Sequence, residues 1–310
     1  MTNDRRELKA MSILRKKLLL TVVLLLAFTG AWAQTNVGFK RTEDVIYGRK
    51  FGTALTLDVF QPQNANGVGI IVLISGGWFS AHEAINPEVF RPLLTRGYTV
   101  FAVVHGSQPK YVVTEIEPDI HRAVRFIRHN AAKYGVDPNR LGLTGGSAGG
   151  HLSLTMATQG DEGNSKAKDP VERESSGIQC VACFFPPTDF LNYGQPGEDA
   201  VGVGVLRDFK PAFGPAADTA EGRQKLGREI SPIYFVRSNM PPILIIHGDA
   251  DKLVPIQQSR TFVKRCEEVG SPAKLIVKEG KLHGWPNIGQ DMETFADWFD
   301  KHLRGGKTGQ

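Results

Sequence analysis

The chain has 310 residues, of which 41% are hydrophobic and 22% are charged. This balance supports a large core and excludes a wholly disordered or collagen-like chain. The net charge of +5 is concentrated in residues 1–33, where six cationic and two anionic side chains leave only +1 for residues 34–310. A nearly neutral body offers no broad field for phosphate backbones, so no nucleic-acid partner is predicted.

Residues 1–33 have the pattern of a secretory signal peptide. Three cations at positions 15–17 precede the 11-residue apolar run Leu18–Phe28, and Ala31 and Ala33 provide the small residues of a cleavage site. A membrane anchor is the alternative, but the stretch through Ala33 falls short of the roughly 20 residues that a spanning helix needs. We expect cleavage after Ala33, no stable membrane anchor, and a secreted or periplasmic enzyme domain over residues 34–310.

Short apolar runs after the signal predict the strands of a sheet. Val45–Tyr47 and Leu55–Phe60 alternate loosely and favour an antiparallel ribbon at the sheet edge. The later runs are almost continuously apolar, which is typical of parallel strands buried on both faces. These runs are Gly69–Ile74, Thr99–Val104, Leu141–Thr144, Ile178–Phe185, Ile243–Ile246 and Leu275–Val277.

Helical patterns separate these runs. Apolar residues recur at intervals of three and four in Ile116–Tyr134, and shorter apolar stripes mark helices near Phe262–Cys266 and Phe295–Leu303. Alternating strands and helices predict an α/β fold with a mainly parallel central sheet and helices on both faces. Pro186–Ser231 interrupts the rhythm and predicts a lid-like excursion.

Three cysteines follow the signal, and two of them form the spacing Cys180-Val181-Ala182-Cys183. That segment lies inside a predicted strand, where residues i and i+3 point to opposite faces about 10 Å apart. A disulfide requires less than about 7 Å. We therefore expect buried thiols without a disulfide framework.

Residues 145–149 read Gly-Gly-Ser-Ala-Gly, which matches G-x-S-x-G. The predicted strand Leu141–Thr144 comes directly before this motif, and a helical stretch, Ala148–Thr158, follows Ser147. A strand-to-helix elbow turns so sharply that its flanking positions require glycine. This context predicts that Ser147 is an exposed nucleophile.

A serine nucleophile needs a histidine base and an acid that orients it, in the chain order Ser, acid, His. His283 lies in a loop between the last predicted strand and the last helix and is the predicted base. His247 adjoins the strand Ile243–Ile246 and is expected to be packed. Three acids remain as candidates: Asp249 and Asp251, which follow that strand, and Asp189 after the previous strand.

An oxyanion hole is predicted from the glycines that follow the strand Gly69–Ile74. Backbone N–H groups at Gly76, Gly77 and Trp78 would supply donors, together with the N–H of Ala148. The loop Asp249–Arg260 lacks the glycine and glutamate of a calcium site. No P-loop, dinucleotide fingerprint or zinc helix occurs, so neither a cofactor nor a metal is predicted.

Five motifs carry a resemblance to a known family, and they span about Leu55 to Leu303. They are SGGW at 75–78, YGVDPNRLGLTGGSAGGHLSL at 134–154, PPTDF at 186–190, HGDADKLVP at 247–255 and LHGW at 282–285. On these motifs the chain resembles the α/β-hydrolase superfamily and, more narrowly, secreted esterases and lipases with a feruloyl-esterase-like (BD-FAE-type) domain. The resemblance implies Ser147 as nucleophile, Asp251 as acid and His283 as base. Ile74 and Ser75 replace the His-Gly that relatives often show.

Together these features predict an exported serine hydrolase that cleaves carboxylic esters through an acyl-enzyme. The resemblance implies acetyl or feruloyl esters of plant polysaccharide, or small-molecule esters, as substrates. Tyr193, Phe209 and Trp285 are predicted to line the substrate pocket. The alternatives are a prolyl-oligopeptidase-like peptidase or amidase, and a non-catalytic binding module on the same fold. The sequence does not indicate an oligomeric state.

Overall fold

The computed structural model describes residues 38–304. The predicted signal peptide and its cleavage site after Ala33 lie outside the described residues. Within 38–304, no helix combines the length and the apolar character needed to cross a membrane.

The described residues form one eight-stranded sheet. Its strands are β1 (Phe39–Lys50), β2 (Thr53–Pro62), β3 (Gly69–Leu73), β4 (Thr99–Val104), β5 (Leu141–Gly146), β6 (Cys180–Phe184), β7 (Ile243–Gly248) and β8 (Ala273–Lys278). The spatial order is β1-β2-β4-β3-β5-β6-β7-β8. β2 pairs antiparallel with β1 and β4, and every other neighbouring pair is parallel. The predicted α/β class and the antiparallel edge ribbon are therefore confirmed.

Helices cover both faces of this sheet. They are α1 (Arg91–Thr95), α2 (Val113–His129), α3 (Ala148–Gln159), α4 (Ala220–Ile230), α5 (Gln257–Glu268) and α6 (Asp291–Phe299). Apolar residues of α2, α3 and α5 pack on one face of the sheet. The other face is covered by α1 and α6. β3, β5 and β6 are almost entirely buried, which explains their continuous apolar sequences.

The structure refines two predicted elements. The helix expected over Ile116–Tyr134 ends at His129 and continues only as a 3₁₀ turn, Ala131–Tyr134, that closes at Gly135 with φ 65°. The predicted excursion Pro186–Ser231 contains 3₁₀ turns and the helix α4. Its apolar residues lie within the main core on the face that α2 and α3 cover.

The three cysteines are free and buried, as predicted. Cys180 and Cys183 lie on β6, and burial raises the pKa of both thiols. Thiols held in this neutral form are poor nucleophiles. They serve as small core side chains.

The parallel strands place their carboxyl ends at one edge of the sheet. The loops that follow β3, β5, β6, β7 and β8 therefore meet there, and each contains one of the sequence motifs. Ligand sites of open α/β sheets form at this edge. The fold thus brings the candidate site residues into one region.

Candidate active site

Ser147 occupies a strained turn between β5 and α3. Its backbone has φ 54° and ψ −118°, and a non-glycine residue held in such a conformation costs on the order of 1–3 kcal/mol. The flanking glycines are needed because a Cβ at Gly145 would come within 2.6 Å of the Gly149 backbone, and a Cβ at Gly149 within 3.1 Å of Leu73 O. The contact at Gly145 is therefore too close for a side chain, and at Gly149 a side chain would require its neighbours to shift by a few tenths of an ångström.

Ser147, His283 and Asp251 form a hydrogen-bonded chain. His283 Nε2 lies 2.9 Å from Ser147 Oγ. On its other side, His283 Nδ1 lies 2.7 Å from Asp251 Oδ2. The ionised carboxylate can only accept, so Nδ1 carries the proton and Nε2 is free to accept the Ser147 hydroxyl proton. These are the relationships that a serine nucleophile, its base and the orienting acid require.

Asp251 is kept ionised by its surroundings. Burial alone would raise its pKa, but the hydrogen bonds from His247 and His283 outweigh burial and hold the pKa well below its usual range. The second oxygen, Oδ1, accepts from the backbone N–H groups of Leu253 and Val254 at 2.9 and 3.0 Å. Both carboxylate oxygens therefore have fixed donors, and the carboxylate holds one orientation toward His283.

The two other candidate acids lie elsewhere. Asp249 Oδ1 accepts from the Gly280 N–H at 2.6 Å and so links the loops after β7 and β8. Asp189 Oδ1 accepts from Leu191 N at 3.0 Å and from the Tyr234 hydroxyl at 3.1 Å. Neither acid is paired with His283, so the geometry favours Asp251 among the three.

His247 is packed, as the sequence indicates, but it also supports the acid. It is fully buried, and its Nδ1 lies 2.7 Å from Ser259 Oγ. Its Nε2 lies 2.9 Å from Val254 O and 3.3 Å from Asp251 Oδ2. Two oxygen acceptors face Nε2, so this nitrogen carries the proton. Its hydrogen bonds stabilise the loop that contains Asp251 and Val254.

The turn after β3 corrects one predicted oxyanion donor. The Gly76 N–H donates to Phe79 O at 2.9 Å, and this closes the turn and occupies Gly76. Gly77 and Trp78 both adopt positive φ, 56° and 59°. Within residues 38–304 their N–H groups have no acceptor. Ala148 is the first residue of α3, where N–H groups have no intrahelical acceptor. Gly77, Trp78 and Ala148 are therefore the available donors.

The side chain of Trp78 anchors this turn to the elbow helix. Its indole Nε1 donates to His151 Nδ1 at 3.2 Å, and the other imidazole nitrogen lies 2.6 Å from Ile230 O. Burial lowers the pKa of His151 to about 4, so the imidazole is neutral with its proton on Nε2. His151 thus connects the turn at residues 76–79, which carries the Gly77 and Trp78 donors and is called the oxyanion turn below, with α3 and the end of α4.

The three predicted pocket residues differ in their surroundings. Phe209 is half-buried and packs on Trp78, with ring centroids 6.4 Å apart. Tyr193 is only 1% exposed and belongs to the main core. Trp285 donates from Nε1 to Asp291 Oδ2 at 2.8 Å beneath the His283 loop. Phe209 therefore lies beside the oxyanion turn, whereas Tyr193 is a core side chain.

Phe185 is a site residue that the sequence did not single out. It follows β6 with φ 33°, and its ring centroid lies 4.4 Å from that of His283. The ring is 7% exposed and fixes one face of the imidazole. The signal was its position directly after a strand, but nothing in the sequence showed that it would contact His283.

One side-chain cluster resembles a metal site. Ligand atoms of Asp44, Asp58 and His82 lie within 4.8 Å of one another. The buried Asp58 carboxylate already accepts from Arg41 Nε at 2.8 Å, and its other oxygen accepts from Asp44 N at 3.0 Å. The Arg41 guanidinium already neutralises the Asp58 carboxylate that a metal cation would need, so we assign no metal to this cluster.

The fold and the elbow define an α/β-hydrolase. The BD-FAE family model matches residues 57–266. The chain belongs to the BD-FAE family.

Curated relatives of similar sequence are named as esterases. Esterase LipQ of Mycobacterium tuberculosis is 28% identical over 239 residues, which cover 74% of this chain and 54% of that protein. The isoprenylcysteine alpha-carbonyl methylesterase ICME of Arabidopsis thaliana is 26% identical, with 73% and 53% covered. The chain spans about half the length of these curated relatives.

Solved structures match over most of the chain. A truncated carbohydrate esterase from gut microbiota superposes with a TM-score of 0.71 at 26% identity, over 89% of this chain and 100% of that one. A bifunctional GH43-CE protein of Bacteroides eggerthii gives a TM-score of 0.68 at 28% identity, over 84% of this chain and 38% of that one. Both comparisons match the observed fold.

Proposed function

We propose that the protein is a serine hydrolase that cleaves carboxylic esters through an acyl-enzyme. The observation that carries this proposal is the Ser147–His283–Asp251 hydrogen-bond chain, with distances of 2.9 and 2.7 Å at an elbow with φ 54°. The esterase names of the relatives support the same reaction.

In the first half-reaction His283 Nε2 takes the Ser147 proton while Oγ attacks the ester carbonyl carbon. The carbonyl oxygen becomes an oxyanion, which the N–H groups of Gly77, Trp78 and Ala148 are available to stabilise; one such donor contributes about 3–4 kcal/mol. His283 then protonates the leaving alcohol, and the acyl group remains on Ser147. Water, deprotonated by His283, releases the acid and restores the serine.

The ionised Asp251 stabilises the imidazolium that forms in both steps. Its low pKa keeps it charged over the pH range in which esterases work, so it acts as a fixed negative partner for the His283 Nδ1–H. Phe185 and the loop around His283 hold the ring at hydrogen-bond distance from Ser147.

The proposed substrates are acyl esters carried by a carbohydrate, with acetyl or feruloyl as the acyl group. The support is the likeness to a carbohydrate esterase from gut microbiota over 89% of this chain. No cofactor takes part in the proposed mechanism.

A hydrolysis panel tests the reaction class. Wild-type protein and Ser147→Ala would be compared on p-nitrophenyl acetate, p-nitrophenyl octanoate, methyl ferulate, acetylated xylan and a proline-site peptide. The proposal expects Ser147-dependent release from at least one ester and none from the peptide. Cleavage of the peptide alone would assign the site to a peptidase, and inactivity on every ester and on the peptide would leave a binding module.

Export is a separate proposal, supported by the charge and apolar pattern of residues 1–33. We expect the mature protein to begin at Gln34 in the periplasm or the medium. N-terminal sequencing of the protein from a secreting host measures this directly. A protein that retains residues 18–33 and sediments with membranes would contradict it.

A further inference from the structure

Phe51 is an exposed aromatic side chain at the tip of the β1–β2 hairpin. It is 77% exposed, more than any other large apolar side chain in residues 38–304. Its ring lies parallel to that of Tyr111, with centroids 6.4 Å apart and an interplanar angle of 22°. Single exposed apolar side chains are common on protein surfaces, so the contacts around Phe51 decide whether its ring has a binding role.

The hairpin tip is held in place by polar contacts. Lys50 Nζ forms an ion pair with Asp119 of α2 at 2.7 Å. Thr53 Oγ1 lies 2.7 Å from the Tyr111 hydroxyl and accepts from Lys110 Nζ at 2.7 Å. These contacts fix the backbone on both sides of Phe51. The ring is therefore presented by a preorganised turn, which lowers the entropy lost when a ligand binds.

A cleft of about 580 Å³ adjoins Phe51, between the hairpin and α2. Of its twelve lining residues three are cationic and four are anionic, so the cleft is polar and almost neutral overall. Arg49 and Thr114 are among these lining residues, and Glu115, another of them, accepts from the Val112 N–H through Oε2 at 3.0 Å. An aromatic face beside many hydrogen-bonding groups suits a sugar ring, which has apolar C–H faces and hydroxyl edges.

The same composition disfavours a protein partner. Charged residues are depleted in the cores of protein interfaces, whereas they make up seven of the twelve lining residues here. The balance of charge likewise disfavours a strongly anionic ligand. A neutral carbohydrate is the class of ligand that fits both features.

The cleft lies on the same edge of the sheet as Ser147. β2 pairs antiparallel with β4, and Thr56 faces Val104, so the hairpin tip extends beyond the carboxyl end of β4. One short segment connects the two sites. Gln108 N donates to Trp78 O at 3.2 Å, and Tyr111 follows three residues later. Three residues span at most about 11 Å, so the backbone of Tyr111 lies within that distance of Gln108, and the Phe51 ring lies a further 6.4 Å from the Tyr111 ring.

We propose that Phe51, stacked on Tyr111, is a sugar-binding platform that holds the glycan whose acyl group is cleaved at Ser147. This inference rests on the proposed function, because it names the binding site for the carbohydrate part of that substrate. A platform outside the acyl site adds affinity for a polymer and leaves hydrolysis of a small ester unchanged.

Kinetics on two acetyl esters separate these effects. Phe51→Ala is expected to raise KM for acetylated xylohexaose about tenfold, equivalent to about 1.4 kcal/mol, with kcat unchanged. The same variant should hydrolyse p-nitrophenyl acetate at the wild-type rate. Phe51→Trp retains a stacking face and should keep the wild-type KM. Ile46→Ala, which removes an exposed apolar side chain of β1 (41% exposed), is the matched control and should change nothing.

Binding without turnover gives a second measurement. Ser147→Ala should migrate more slowly in native gels that contain acetylated xylan or acetylated glucomannan than in gels without polysaccharide. The double variant Ser147→Ala with Phe51→Ala should migrate equally in all of these gels. Equal mobility of the two variants in both gels, or equal KM values, would overturn the platform. A wild-type dimer that Phe51→Ala dissociates would also overturn it and assign the ring to self-association. Failure of the wild-type protein to hydrolyse p-nitrophenyl acetate, by contrast, would count against the esterase mechanism.

Discussion

The ring of Phe209 lies directly against Gly77. A Cβ built on Gly77 would come within 2.4 Å of the Phe209 ring, and Gly77 has φ 56°. The excursion over Pro186–Ser231 thus holds the oxyanion turn from outside, while the Trp78–His151 hydrogen bond holds it from inside. The backbone donors are fixed on both sides before any substrate binds, which is the condition for efficient electrostatic stabilisation.

This contact predicts the effect of Gly77→Ala. The added methyl group must displace either the ring or the turn, and alanine at positive φ is strained by about 1–2 kcal/mol. We expect kcat on p-nitrophenyl acetate to fall about ten- to a hundredfold, because one oxyanion donor moves. Gly77→Ala with Phe209→Ala should regain part of the loss. Gly289→Ala, where a Cβ meets nothing within 4 Å, is the control. Wild-type kcat in Gly77→Ala would show that this turn does not stabilise the oxyanion.

The three acids predict three different outcomes. Asp251→Asn should reduce kcat by at least about a hundredfold and up to about 10⁴, because the amide favours the wrong imidazole tautomer. Asp249→Asn and Asp189→Asn should stay within about tenfold of wild type, since their carboxylates accept from the backbone N–H groups of Gly280 and Leu191 and neither is paired with His283. Steady-state kinetics of the three variants measure this. A large loss of kcat in Asp189→Asn, together with a kcat near wild type in Asp251→Asn, would mean that the triad has a different acid.

His151 predicts a pH dependence of stability. Its pKa is lowered by burial to about 4 in the folded protein, against about 6.5 in an unfolded chain. Between these values the unfolded chain binds the extra proton, so the stabilisation is complete above about pH 6.5 and falls as the pH drops toward 4. His151→Gln should reduce this slope by up to about 1.4 kcal/mol per pH unit in urea unfolding at pH 5 to 7. An unchanged slope would contradict a buried neutral His151.

Much of the site was predictable because parallel strands end at one edge of the sheet. The glycines around Ser147 and the loops of Asp251 and His283 each follow a strand, so their convergence required only the strand order. The engagement of the Gly76 N–H was not predictable, because it depends on which way the Phe79 carbonyl points in the turn. The contact of Phe185 with His283 depends on a positive φ that the sequence does not indicate for phenylalanine.

The excursion shows a second limit. Helix α4 buries only a few residues, among them Leu226 and Ile230, so its apolar stripe is too short to stand out from the surrounding glycines and prolines. Its position is set by tertiary contacts, including the one between Ile230 O and His151. Local periodicity carries no information about such contacts.

Ser147 Oγ is the proposed nucleophile, and a fluorophosphonate probe, which phosphonylates an activated serine, tests this assignment by intact-mass and peptide mass spectrometry. We expect one adduct per chain, located on the peptide that contains Ser147. Labelling should be absent in Ser147→Ala and should slow strongly in a His283→Ala variant, whose serine lacks its base. An adduct at another residue, or equal labelling of Ser147→Ala, would contradict the nucleophile on which the mechanism rests.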